Sequence, residues 1–432
     1  MGAFAETAPY RAAFDAQTRG AEPSWLAERR RAAIERFEEL GFPTRRNEAW
    51  RFTDLKPLRR ANFAPAGENA GAAPDLEAWL YPGKTHRIVL VDGRFSPALS
   101  KVGNLPKGVY LAGTAQTLTE RPDLLAEAFD ETDTVGGQAF ASLNAALFAD
   151  GFVLAVDPGV AVERPIEVLH IGQARERSSQ LRNLVRLGDG AHATLIETFA
   201  GGADHWTSAV DVIALGAGAA LCHAKLQDEV ATSVHFAQVR TVLASKARYE
   251  SFVLALGGGL ARHEIFVTFT GEGAACGLFG VSLLRGEQES TIATFVDHAA
   301  PQCATREYFK TVVDDRAHGV FLGRIAVREG AQKTDANQLN KNLLLSPRAN
   351  IDTKPELEIL ADDVKCSHGA TVGDLDEAAL FYLEARGIPA PEARRMLIEA
   401  FAAEAIERIE NDLALRAHFA AQVQRWLGRR GN

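Results

Sequence analysis

The stretch GDGAHATLIETFAGGADHWTSAVDVIALGAGA, from Gly188 to Ala219, holds a short turn ending in Ala, a β-rich run, and then the same kind of turn again. The turn recurs along the chain. It reads GDGA at Ala191, GAGA at Ala219, ASKA at Ala247, GEGA at Ala274, DDRA at Ala317 and SPRA at Ala349, at intervals of 28, 28, 27, 43 and 32 residues. A period of roughly 20–50 residues marks a solenoid, whose units bury an apolar face only by stacking on their neighbours. The runs between the turns are rich in Val, Ile, Leu, Phe and Thr, and no stretch of about 10–15 residues among them has clear helical periodicity. That excludes ankyrin, TPR and leucine-rich arrays and predicts a β-solenoid, with an ordinary sandwich of chance turn similarity as the competing architecture. The long interval between Ala274 and Ala317 predicts an excursion or a hidden seventh copy. In the last copy Ile351, Thr353, Pro355, Leu357 and Ile359 alternate with Asp352, Lys354, Glu356 and Glu358, so one strand face should be buried and the other wet.

Outside this region the texture changes. The chain up to about Gly41 reads as helix, with Ser24 as N-cap, Leu26, Ile34, Phe37 and Leu40 at helical spacing, and Gly41 and Pro43 as stops. From Pro57 to Gly83 the Ala-, Gly-, Asn- and Pro-rich composition reads as loop or linker. Strand signals dominate from Arg87 to about Gly369. After Gly373, DEAALFYLEAR, PEARRMLIEAFAAEAIERIE and DLALRAHFAAQVQRWL read as three helices, the second with an apolar stripe of Ala393, Met396, Leu397, Ala400, Phe401, Ile406 and Ile409. The expected organisation is an N-terminal helical region and linker over 1–86, a β-helix core over 87–373 and a C-terminal helical domain over 374–432.

Composition narrows the function. Of 432 residues, 47% are hydrophobic and 24% charged, which excludes wholesale disorder, and a net charge of −9 argues against nucleic acid as the main partner. The longest apolar stretch, Ala145 to Val162, carries Asp150 and Asp157, so no membrane span is expected. No basic segment leads into an apolar one at the N-terminus, and Glu6 stands where a myristoylation signal wants Ser or Thr; the expected compartment is the cytosol. Cys222, Cys276, Cys303 and Cys366 are far apart without any CxxC, so they form neither a disulfide framework nor a complete zinc site.

Nucleotide chemistry fails on spacing. Gly83-Lys84-Thr85 resembles the end of a Walker A loop, but Ala78 stands where its first Gly belongs. Gly216-Ala217-Gly218 is followed by Leu221 instead of a third Gly, and Gly257-Gly258-Gly259 opens no helix. These glycines fit solenoid turns, and the chain is expected to bind no ATP. No GxSxG or HExxH occurs, the pairs Asp314-Asp315 and Asp362-Asp363 sit in turn-like contexts, and the eleven histidines are scattered, most of them read as structural. The candidate metal ligands are Cys366 and His368 in VKCSHG, which share a face if the segment is extended. Thiolate and imidazole suit iron or zinc but leave a tetrahedral site two ligands short, and Val364 on the same face favours a buried thiol instead. The pair stands where the solenoid ends, at a strand edge that needs a cap or another chain, so the ligand set could be completed across an interface.

The segment QLNKNLLLSPRANIDTKPELEILADDVKCSHGATVGDLDEAALFYLEARGI, Gln338 to Ile388, resembles the C-terminal signature of the SufB/SufD family of iron–sulfur cluster assembly scaffolds. RRNEAWRFTDL, Arg45 to Leu55, is similar to the family's N-terminal signature, and the resemblance runs from about Arg45 to Phe401. With Leu383 after Phe381-Tyr382, where SufB-type chains carry Cys, and Gly369 after His368, where they carry Glu, the chain resembles the SufD side of the family more than the SufB side. The resemblance implies a right-handed parallel β-helix with helical ends, in complex with SufB and with two copies of the ATPase SufC. The β-helices of SufB and SufD would pair along their ends, and SufC would dock on the C-terminal helices. It further implies a non-catalytic role, with His368 and more weakly Cys366 serving iron acquisition or a transient nascent Fe–S cluster at the SufB interface. The resemblance also associates a reduced flavin with the assembled complex, but no flavin motif is recognisable in this sequence and no residue is assigned to it. A homodimer in isolation stays open, as do two other readings, a purely structural adaptor and a carbohydrate-active β-helix enzyme such as a lyase.

Overall fold

The computed structural model describes residues 3–17, 22–56, 58, 63–65, 74–129, 139–409 and 412–429. Two helices, Ala3–Ala16 (α1) and Ser24–Leu40 (α2), open the chain, followed by a single helical turn at Glu48–Trp50. Short strands Ala64–Pro65 (β1), His86–Val91 (β2), Arg94–Phe95 (β3) and Val109–Gly113 (β4) come next, then helices Thr114–Glu120 (α3), Pro122–Ala128 (α4) and Ala139–Leu147 (α5). The regular stack begins with Phe152–Val156 (β5), Ile166–Gly172 (β6), Arg177–Leu187 (β7), His192–Gly201 (β8) and His205–Leu215 (β9). It continues with Ala220–Glu229 (β10), Val234–Leu243 (β11), Arg248–Ala255 (β12), Leu260–Phe269 (β13), Ala275–Leu284 (β14) and Glu289–His298 (β15). Its last strands are Ala304–Val313 (β16), His318–Val327 (β17), Asp335–Leu344 (β18), Asn350–Ile359 (β19) and Lys365–Gly373 (β20). Helices Glu377–Glu384 (α6), Ala390–Ile406 (α7) and Leu413–Gly428 (α8) close the chain.

Odd strands from β5 to β19 pair in parallel in one sheet, and even strands from β6 to β20 in a second. Successive strands of the chain alternate between the sheets, so the stack is a β-solenoid of about eight turns. The repeated Ala has a structural cause. Ala191, Ala219, Ala247 and Ala274 sit at the corner leading from the odd sheet into the even one, each no more than 1% exposed, where a larger side chain would have nowhere to go. At Ala191, Ala219 and Ala247 the Ala amide closes the turn by donating to the carbonyl three residues earlier. The residue before each of the four Ala has positive φ, between 58° and 72°, which explains Gly190, Gly218 and Gly273.

The hidden copy lies at the corner between β15 and β16. Cys303 takes the place of Ala, is 1% exposed, and follows Gln302 at φ 58°. A search keyed to Ala passes over it. DDRA and SPRA belong elsewhere: Ala317 and Ala349 lie at the opposite corner, from the even sheet into the odd. The six turns are therefore two interleaved series, and the 43-residue interval is a change of corner.

Other expectations need correction. The region after Arg87 includes α3 to α5, helices of 7 to 9 residues, too short to show a period. Ser24 is the first helical residue, and Pro23 holds the cap position without a side-chain bond. The predicted linker from Pro57 to Gly83 lies largely outside the described residues. In α7 the buried positions are Ala393, Ile398, Ala402, Ala405 and Ile406, while Met396 is 40% exposed. No helix of the described residues is long and apolar enough to cross a membrane.

Both outer faces of the solenoid are covered. Phe37, Phe42, Trp50 and Phe140 from the N-terminal half pack with Trp206 and Phe236 on the odd sheet. On the even sheet, Ile398, Ala402, Phe419 and Trp426 of α7 and α8 pack with Leu226, Phe252, Leu254 and Val281, and the Phe252 and Phe419 rings stack at 5.2 Å. Helix α6 packs against α7 but has no buried residue.

Candidate metal-ligand site at the open end

β20 is the last strand of its sheet and is hydrogen-bonded only to β18, and β19 likewise ends the odd sheet. The solenoid thus finishes on two backbone edges without a partner strand among the described residues. β19 departs from its predicted alternation: it has no buried residue, and its apolar members Ile351 and Leu357 are only half-buried. The cause is position, because a terminal coil has a neighbour on one side only. Ile359 at 40%, Leu360 at 63% and Val372 at 48% leave apolar surface along this rim.

The expected pair falls on this rim. Cys366 and His368 are extended, in register with Ala336 and Gln338 of β18. Both neighbours are buried in the solenoid interior, so Cys366 and His368 project on the inward side of the last coil. Cys366 is half-buried against the core, and burial is the largest influence pushing its thiol above the ordinary range. His368 is exposed. Among the described residues no third His, Cys, Asp or Glu joins them within metal-ligand reach. The pair offers two donors of different softness, with no third beside them among the described residues.

Below His368 lies a polar column that the sequence reading missed. Gln338 is its in-register neighbour, and Glu307 the next one down. Glu307 Oε2 accepts from Gln338 Nε2 at 2.8 Å and from Thr294 Oγ1 at 3.0 Å. Burial pushes the Glu307 carboxyl up to about 7. Gly323 on the facing sheet makes room: a Cβ there would lie 2.2 Å from Gln338 Nε2. Deeper inside, His170, Glu197, Asp211, His223, Lys225, His235 and His263 are all buried. His170, His223, His235 and His263, which looked scattered in the sequence, gather along one interior. The available signal was a run of polar residues at alternate positions of β10, His223, Lys225, Gln227 and Glu229.

Residues 170–401 match the SUF system FeS cluster assembly SufBD core domain, and residues 10–168 match the SufBD protein N-terminal region. A SufBD family iron–sulfur cluster assembly protein of Synechocystis is 32% identical over 407 residues, covering 91% of this chain and 90% of its own. The iron–sulfur cluster assembly protein SufD of Escherichia coli is 34% identical over 386 residues, 88% of each chain. SufD of Bacillus subtilis is 26% identical over 400 residues, 90% of this chain and 91% of its own.

Proposed function

The chain belongs to the SufBD family of iron–sulfur cluster assembly proteins, and on that premise we propose that it is a non-catalytic scaffold subunit of SUF assembly in the cytosol. Its open rim pairs with a SufB-type β-solenoid, and His368 with Cys366 supplies part of the ligand set for iron or a nascent cluster at that seam. The rim carries the reading. An edge strand offers backbone donors and acceptors to a partner strand, and the exposed apolar residues beside it favour burial. Two donors on this chain explain why cluster chemistry requires a second one. The divisions 1–86, 87–373 and 374–432 then have separate tasks. The N-terminal part covers the odd sheet, the solenoid presents the rim, and the C-terminal helices receive a SufC-type ATPase, with Phe381 at 72% and Tyr382 at 56% exposure as its contact. ATP hydrolysis on that partner acts by changing the relative setting of the two solenoids, and so the access to His368.

The test is co-expression with SufB- and SufC-type partners and measurement of iron and sulfide in the purified complex. His368→Ala is expected to leave the complex assembled and to remove most of the cluster, with Cys366→Ala giving a smaller loss. Full cluster content in both variants within an intact complex would reduce the chain to a structural adaptor.

A further inference from the structure

Far from the rim, three side chains on successive strands face one another inside the solenoid. Glu197 on β8, Asp211 on β9 and His223 on β10 are each no more than 1% exposed, and one ligand atom from each lies within 4.8 Å of the other two. Every one of them is gripped at one atom and offers another. Glu197 Oε1 accepts from His170 Nε2 at 3.0 Å, while Oε2 faces His223 Nε2 at 2.7 Å. Asp211 Oδ1 accepts from Asn183 Nδ2 at 2.6 Å, and Oδ2 has no hydrogen-bond partner. His223 Nδ1 is anchored at 3.0 Å by the Tyr249 hydroxyl, which leaves Nε2 directed at the acids. Asn183 is itself fixed, its side-chain oxygen accepting from the Phe152 amide at 2.9 Å.

A buried carboxylate oxygen without a partner is costly, and such an atom in a native fold calls for an ion or water. Ligands held in this way by outer hydrogen bonds are the usual surroundings of a metal. We propose that Glu197, Asp211 and His223 hold a resident divalent transition-metal ion of the zinc or ferrous class in the middle of the solenoid. Two carboxylates balance its charge, and a mixed imidazole–carboxylate set suits such borderline ions. On loading, the ion replaces the Glu197–His223 hydrogen bond and engages both, and Tyr249 then accepts from Nδ1–H. Lys225, in register with Glu197, opposes the ion. Its buried ammonium has no hydrogen-bond partner and stands 4.2 Å over the Phe199 ring. Hydrogen-bonded strands enclose the site on both sheets, so the ion enters during folding and exchanges slowly, unlike cargo at the rim.

The test is to refold the full chain with Zn²⁺, dialyse it against EDTA and measure retained metal by mass spectrometry. About one equivalent should remain in the wild type and in the Cys366→Ala/His368→Ala variant. Asp211→Asn, isosteric with the native residue, should lose it, and Lys225→Met should hold it severalfold more tightly. Should Asp211→Asn fail to fold, zinc X-ray absorption on the wild type still decides, with nitrogen and oxygen scatterers expected and sulfur overturning the assignment. Wild type without retained zinc, which would leave only water or a proton in the gap, or full retention by folded Asp211→Asn, also overturns it.

Discussion

Cys276 and Cys366 occupy the same column of the even sheet, linked in register through Thr305 and Ala336. Residue type, strand geometry and inward orientation are common to both. Cys276 lies in mid-stack, 4% exposed, with its thiol pushed well above the ordinary range by burial, whereas Cys366 is half-buried on the final coil and shifted upward less decisively. The next coil makes the difference. In the middle of the solenoid an inward side chain is sealed by neighbours on both sides, and at the end the same position is a rim. Access at the rim therefore needs no special local motif, only the absence of one more turn.

The widest contrast between the two environments is in packing. Leu278→Ala in β14, at a position with no exposure, should destabilise the protein by about 2–5 kcal/mol, and Val372→Ala on the rim by roughly 0.5 kcal/mol or less. Chemical denaturation measures both, and equal losses would mean the last coil is as closely packed as the middle. Next comes Glu307, whose folded pKa of about 7 lies above the ordinary carboxylate value. Between those two values the folded state keeps a proton that the unfolded chain releases, so stability falls as pH rises through that window. Glu307→Gln should remove this loss and stabilise the protein by about 3 kcal/mol at pH 8 relative to wild type, with little difference near pH 4. Denaturation midpoints at the two pH values check the sign.

Thiol labelling sharpens the comparison further. Cys366 should react in the native state at a rate rising about tenfold per pH unit between pH 7 and 8, since its thiol is shifted upward, and Cys276 only when the stack opens. Mass spectrometry of peptides after timed alkylation distinguishes them, and matching native rates would contradict the sealed interior. A small effect, comparable to that of Val372→Ala, is expected at the exposed Arg324–Glu358 ion pair linking β17 to β19. Glu358→Ala should cost about 0–1 kcal/mol, read in the same denaturation series at low and high salt.

What the sequence revealed depended on where a physical constraint left a residue-level trace. The corner admits only a small side chain, so Ala at 191, 219, 247 and 274 announced the solenoid, and the same constraint met by Cys303 went unseen. Cys366 and His368 were legible because extended backbone puts alternate residues on one side. The interior cluster was hidden for a related reason. Alternation reports which face is more apolar, and in β10 the outward Ala224 and Leu226 lie under α7 and α8 while His223, Lys225 and Gln227 point inward. Read alone, that strand looks inside out. Glu307 and Gln338 were disguised likewise, as polar residues at positions a reader assigns to solvent.

The uniform register of the stack has a consequence for molecular length. Each coil adds one strand spacing, about 4.8 Å, to both sheets at once and leaves every column in line. Removing or duplicating one whole coil would move the rim relative to the helical flanks in fixed increments, without altering which side chains face the axis. Reach in this protein is thus quantised: one coil more or fewer changes its span by a whole step and leaves the terminal column of side chains in line.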